Sequence, residues 1–128
     1  MSFTKSLNIV IEKLKITAPV PIDDLQDFDI VLANPNRIDD FINSLQHDPW
    51  TEEEVAIVMG IILGSIDEAI KSTESFDRVR IDNYVNVLAE SWKNNRSLAA
   101  QSLYDYWKNL PEEFYGGEVA RRVSKIVE

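Results

Sequence analysis

Carboxylates are the most abundant reactive groups in this 128-residue chain, and one short run of them has the spacing of a metal site. Asp23-Asp24-Leu25-Gln26-Asp27 reads Asp-Asp-x-x-Asp, a pattern by which clustered oxygens hold magnesium, a hard cation, against a diphosphate. That chemistry also needs a large apolar cavity and a second acidic box facing the first, and the sequence supplies neither. The competing reading is a helix N-terminal turn with solvated acids. No loop reads Asp-x-Asp-x-Asp-Gly with a trailing Glu, which excludes an EF-hand. The single histidine, His47, stands beside Asp48. A zinc site needs at least three protein ligands, so His47 reads as a loop residue. Cysteine is absent, which excludes disulfides, thiolate metal sites and a thiol nucleophile. Four glycines, at 60, 64, 116 and 117, make neither a phosphate-cradling loop nor a Gly-x-Ser-x-Gly elbow. We therefore assign no catalytic, cofactor or metal residue and expect a protein that is not an enzyme.

The carboxylates are unevenly placed. The formal net charge is −9. Residues 17–54 carry ten acids (Asp23, Asp24, Asp27, Asp29, Asp39, Asp40, Asp48, Glu52, Glu53, Glu54) against Arg37 alone, and the remaining segments cancel. Less than a third of the chain thus accounts for the whole excess. Glu52 to Glu54 suit the start of a helix, where acids complement the dipole. The aspartates between 23 and 40 fit that explanation only in part, which leaves a charged docking face open. An excess of this sign argues against direct binding to DNA or RNA and against anionic membrane surfaces, since both need cationic contacts.

Helices must position these groups. Apolar residues recur at spacings of three and four, the amphipathic period. Leu7, Val10, Ile11 and Leu14 line a first helix, which Ala18-Pro19-Val20-Pro21 ends. Leu25, Phe28 and Leu32 suggest a short helix within 23–33. Asn34-Pro35 breaks it, and Asn34 or Asn36 caps a third helix with Ile38, Phe41, Ile42 and Leu45. After the His47-Asp48-Pro49-Trp50 loop, Thr51 and Glu54 form a capping box that starts a long helix over about 52–72. That helix is apolar nearly all round, so neighbours must cover it. Gly60 and Gly64 share one of its faces and would admit a close neighbour. A fifth helix runs from about 76 to 93 with Ile81, Tyr84, Val85, Leu88 and Trp92. A sixth runs from about 97 to 109 with Ala99, Leu103, Tyr106, Trp107 and Leu110. Pro111 ends it, and Gly116-Gly117 separates a last helix bearing Val119, Val123, Ile126 and Val127. Trp92 and Trp107 are expected to pack near each other. The longest apolar run, Val55 to Ile66, is about 12 residues, short of the roughly 20 that span a bilayer. The N-terminus is too interrupted by charge for a secretory signal. With no cysteine to oxidise, a cytoplasmic location is the expectation.

One internal match stands out. Residues 37–45 and 80–88 are identical at five of nine positions, namely Arg, Ile, Asp, Asn and Leu, at an offset of 43. Helical-hairpin repeats of the HEAT and armadillo kind have periods of about 40–47. Shared apolar spacing explains part of the match but not the polar identities. The expected architecture is therefore all-α: one domain over residues 1–128, with six to seven helices packed as antiparallel hairpins, HEAT-like in one form of it, around the apolar helix at 52–72.

Glu74-Ser75-Phe76-Asp77, the helix with Tyr84-Val85 and Val87-Leu88, and the aromatic helix Leu103-Tyr104-Asp105-Tyr106-Trp107 carry a family resemblance over residues 50–110. In that order of elements the chain resembles the small acidic helical immunity proteins of bacterial polymorphic and contact-dependent toxin systems. The resemblance implies a one-to-one complex with a cognate toxin, often a basic nuclease domain, and points to no contact residue. Charge alone nominates a partner-binding set of Asp23, Asp24, Asp27, Asp29, Asp39, Asp40, Asp48, Glu52 and Glu53. Trp50 is added as an aromatic anchor beside the charged rim, although folding onto the start of the long helix is the favoured explanation of it. The expected function is a non-enzymatic inhibitor that neutralises a basic protein. The alternative is a helical-repeat scaffold or adaptor holding a peptide or protein in a groove.

Overall fold

A computed structural model describes residues 3–16, 28–72, 78–111 and 114–127. Its helices are α1 (Phe3–Leu14), α2 (Phe28–Val31), α3 (Ile38–His47), α4 (Glu52–Ser72), α5 (Arg78–Asn94), α6 (Leu98–Lys108) and α7 (Tyr115–Val127), with a 3₁₀ turn at Pro35–Arg37 before α3. Among the described residues there is no strand.

The long helix α4 starts where its capping box directs. The Thr51 amide donates to Glu54 Oε1 at 3.1 Å, and the Glu54 amide donates to Thr51 Oγ1 at 3.3 Å. Reciprocal bonding of this kind satisfies donors that a helix N-terminus otherwise leaves open. From Glu54 to Asp67 every residue of α4 is buried. The helix has no polar face to present, so α1, α2, α3, α5, α6 and α7 all pack on it.

Two pairs of helices run side by side in the same direction. Asp39, near the start of α3, accepts a 2.6 Å hydrogen bond from the Tyr84 hydroxyl near the start of α5. At the other end Leu45 and His47 share a cleft with Val87 and Asn94. Likewise the Tyr104 hydroxyl of α6 donates to Met59 Sδ of α4 at 3.2 Å. A methyl group on Gly60 would stand 3.1 Å from Leu103. These links join residues 43 or 45 apart, so the offset of the sequence match is the offset at which α3 meets α5 and α4 meets α6. The short connection between α3 and α4 makes those two an antiparallel hairpin. The second copy departs from a simple repeat, because α7 packs on α5, α6 and α4 together and closes the bundle.

The glycine face of α4 receives α2. A methyl group on Gly64 would collide with the Asp29 carbonyl oxygen, and one on Gly60 would press on Phe28 at 3.0 Å. Glycine inside a helix costs about 1 kcal/mol relative to alanine, and this close approach is what it permits. The other glycine pair lies differently from the sequence expectation. Gly116 and Gly117 stand inside the first turn of α7, not before it. They are needed there because a methyl group on Gly116 would strike the Trp107 ring, and one on Gly117 would lie 2.7 Å from the Trp107 carbonyl. The turn is completed by Asp67, whose Oδ1 accepts from the Gly116 amide at 3.1 Å while its carboxylate pairs with Lys71 at 3.0 Å.

Three further expectations are revised. Helix α1 ends at Leu14, ahead of the prolines, because Lys15 turns left-handed (φ 56°) and the Ile16 amide reaches back to the Ile11 carbonyl at 3.0 Å. Arg37 then donates to the Leu14 carbonyl at 2.7 Å. The Ala18-Pro19-Val20-Pro21 segment and Leu25 lie outside the described residues. On α6, Tyr104 is in the core and Tyr106 is half exposed, the reverse of the expected order. Trp92 stacks on Tyr104 at 4.3 Å between centroids, and Trp107 lies in the same core against the Gly116 turn. Ile126 is also partly exposed, at 42 %.

Candidate functional site

Ser44, one turn before the end of α3, organises the loop that follows. Its carbonyl accepts from the Asp48 amide at 3.0 Å and from the Trp50 indole nitrogen at 2.9 Å. Its hydroxyl donates to Asp48 Oδ2. A buried serine thus fixes both the carboxylate and the aromatic ring of the loop. Lys13 of α1 reaches the same loop, with its ammonium 4.8 Å from the Trp50 ring centroid and 3.2 Å from the Pro49 carbonyl oxygen.

This loop and the end of α5 bound a cleft of about 550 Å³. Asp48, Trp50 and His47 stand on one side of it, and Glu90, Ser91, Asn94 and Asn95 on the other. Among the described residues no lysine or arginine lines it. Because α3 and α5 run in the same direction, both deliver their C-terminal ends here, and helix C-termini carry partial negative charge. The N-terminus of α4 lies at this end as well, and its partial positive charge is met by Glu52, Glu53 and Glu54. The cleft is therefore an anionic pocket with an indole in its wall.

The nominated residues divide into four groups. Asp23, Asp24 and Asp27, and with them the Asp-Asp-x-x-Asp pattern, lie outside the described residues. Asp29 does not belong to an exposed face. It is 5 % exposed and accepts from the Trp107 indole nitrogen at 2.8 Å, because α2 is pressed onto the glycine face of α4. Asp39 and Asp40 are exposed but already answered by cations. Asp40 holds Arg37 at 2.5 Å, and Asp39 has Arg80 at 3.9 Å as well as the Tyr84 hydroxyl. Asp48, Trp50, Glu52 and Glu53 remain together at the cleft end of the molecule. Glu52 is exposed, and Glu53 is half buried with an Oε1 that takes no hydrogen bond.

Ser44 and Glu90 are the members that sequence reasoning missed. The signal for Glu90 was present, since the offset of 43 sets it opposite His47. The hydroxyl of Tyr84 marks the other end of the α3–α5 seam. Burial, reinforced by the Asp39 carboxylate, raises its pKa from 10.0 to about 12. Burial also pushes the Tyr104 hydroxyl well above the ordinary tyrosine value.

Among the described residues no group of three His, Asp or Glu side chains is placed to hold a metal ion, and no helix is long and apolar enough to cross a membrane. Comparison with family models, with curated proteins and with solved structures finds no match.

Proposed function

We propose that this chain is a non-enzymatic interaction protein of the immunity or inhibitor type, which covers a basic partner such as a toxin nuclease domain. The observation that carries the reading is the cleft at the end of α3 and α5. It sets Asp48 and Trp50, both held by Ser44, across from Glu90 with no lysine or arginine among the described lining residues, and Glu52 and Glu53 begin the adjoining helix. Such a surface accelerates encounter with a basic protein and disfavours acidic ones. The docking face is accordingly narrower than the full acidic segment. Asp29 serves the core, and Asp39 and Asp40 each have an arginine of the same chain beside them.

Capture from a lysate of the source cell, at low and at high salt, tests this reading. Wild-type protein should recover a basic protein at low salt and lose it as salt rises. The double reversal Asp48→Lys with Glu90→Lys should abolish recovery while the fold, checked by circular dichroism, persists. Co-expression of the recovered protein with the chain should relieve any toxicity it causes. Recovery that ignores both salt and the reversal overturns the reading. In that case the helical-repeat scaffold is favoured, for which the in-register stacking of α3 on α5 and α4 on α6 is the support.

A further inference from the structure

We propose that the cleft between the α3–α4 loop and the end of α5 receives an arginine side chain of the basic partner, its guanidinium meeting Asp48 and Glu90 beside the Trp50 ring. This rests on the basic-partner reading and makes it specific.

Three observations select a cation. The lining offers two carboxylates and the carboxamides of Gln46, Asn94 and Asn95, with no lysine or arginine among them. Two helix C-termini converge there, a field that favours positive charge. The loop already holds one cation: Lys13 sits over Trp50 and bonds the Pro49 carbonyl. Among the described residues that line the cleft there is no lysine or arginine, and Lys13 meets Trp50 and Pro49 at its margin.

Chemistry narrows the cation to arginine. A guanidinium is planar, donates in a fixed fork that matches carboxylates and carbonyls, and stacks on indole, whereas an ammonium acts as a compact, strongly hydrated charge. The acceptors here are spread over both walls and include planar amides as well as carboxylates, which suits a donor with five N–H groups. The size also fits. A volume of about 550 Å³ admits an arginine side chain together with water and a neighbouring residue of the partner. Ser44 holds Asp48 and Trp50 in place before binding, so little ordering cost falls on the receiving wall.

The test is a titration with capped tri-arginine, tri-lysine and tri-glutamate peptides, followed through the indole N–H signals of the intact protein. Trp50 is the partly exposed tryptophan, while Trp92 and Trp107 are buried. Tri-arginine should move the Trp50 signal and leave the other two in place. Tri-lysine should bind about fivefold more weakly, and tri-glutamate not at all. Asp48→Asn and Glu90→Gln, both conservative in shape, should each weaken tri-arginine severalfold. Asp105→Asn on the exposed face of α6 should not. If tri-lysine binds as tightly as tri-arginine, or if tri-arginine leaves Trp50 unmoved, the arginine inference is overturned. The basic-partner reading then stands or falls separately on salt-sensitive capture and its loss on charge reversal.

Discussion

The glycine face of α4 gives a prediction whose size can be worked from the coordinates. Consider Gly64→Ala beside Gly60→Ala. Both residues lie inside one helix, so each substitution gains roughly 1 kcal/mol of helix propensity. At Gly60 the new methyl group meets Phe28 Cε2 at 3.0 Å and Leu103 Cδ1 at 3.1 Å. Both are side-chain atoms that can give by a few tenths of an ångström, and overpacking of this mild kind offsets the gain to within about 0.5 kcal/mol. At Gly64 the methyl group meets the backbone carbonyl of Asp29, which cannot turn aside. Helix α2 must lift, and the 2.8 Å bond from the Trp107 indole nitrogen to Asp29 is lost with it. A buried donor left unsatisfied costs about 1–3 kcal/mol, and the strained packing adds about 1 kcal/mol. Against the propensity gain, Gly64→Ala should destabilise the protein by about 2 kcal/mol net. For a chain of this length that lowers the melting temperature by roughly 6–10 °C. Calorimetry gives the temperatures, and amide and indole exchange by NMR reports the Trp107 N–H. Equal stability of the two variants, with the Trp107 indole still protected, would refute the packing of α2 against α4.

Asp29 and Tyr84 can each be perturbed directly, the first testing the same Trp107 bond and the second a separate site. Asp29→Ala should cost about 2 kcal/mol by stranding the Trp107 N–H, whereas Asp29→Asn, which keeps an acceptor, should cost less; denaturant unfolding separates them. Tyr84, whose pKa is raised from 10.0 to about 12 by burial and Asp39, keeps its proton more tightly folded than unfolded. Its contribution to stability is complete below pH 10 and is lost as pH rises through about 12, so unfolding free energy should fall across that window, and less steeply in Tyr84→Phe.

The bounds of α4 were legible because Thr51 and Glu54 signal its start locally. Its central position followed from the absence of a polar face. The reversal of Tyr104 and Tyr106 could not be read from α6 itself. Either ring fits an amphipathic period with Trp107, and the choice is made by Met59 and Trp92 on other helices. Asp29 looked like one more surface carboxylate because the group that buries it lies 78 positions along the chain. The cleft was half legible. Asp48 and Trp50 are adjacent to a loop signal, while Glu90 comes from α5 and needed the offset of 43 to be read as a spatial neighbour and not only as a repeat. The charge excess located the right part of the chain but could not distinguish acids that serve the core, as Asp29 does, from those that face a partner.

The Asp29–Trp107 link also sets a schedule for the chain during synthesis. Ribosomes add about 5–20 residues per second, so Asp29 emerges roughly 4–16 s before the indole that it accepts from. Through that interval α2, a single turn, rests on Gly60 and Gly64 with only its own contacts to α4 and the Asn34–Ser65 hydrogen bond beside it. The first half of the molecule is then an apolar α4 searching for cover, open to chaperones or to other nascent chains. The exposure ends only when α7 follows α6, since Trp107 bonds Asp29 of α2 on one side and packs on the glycine turn of α7 on the other.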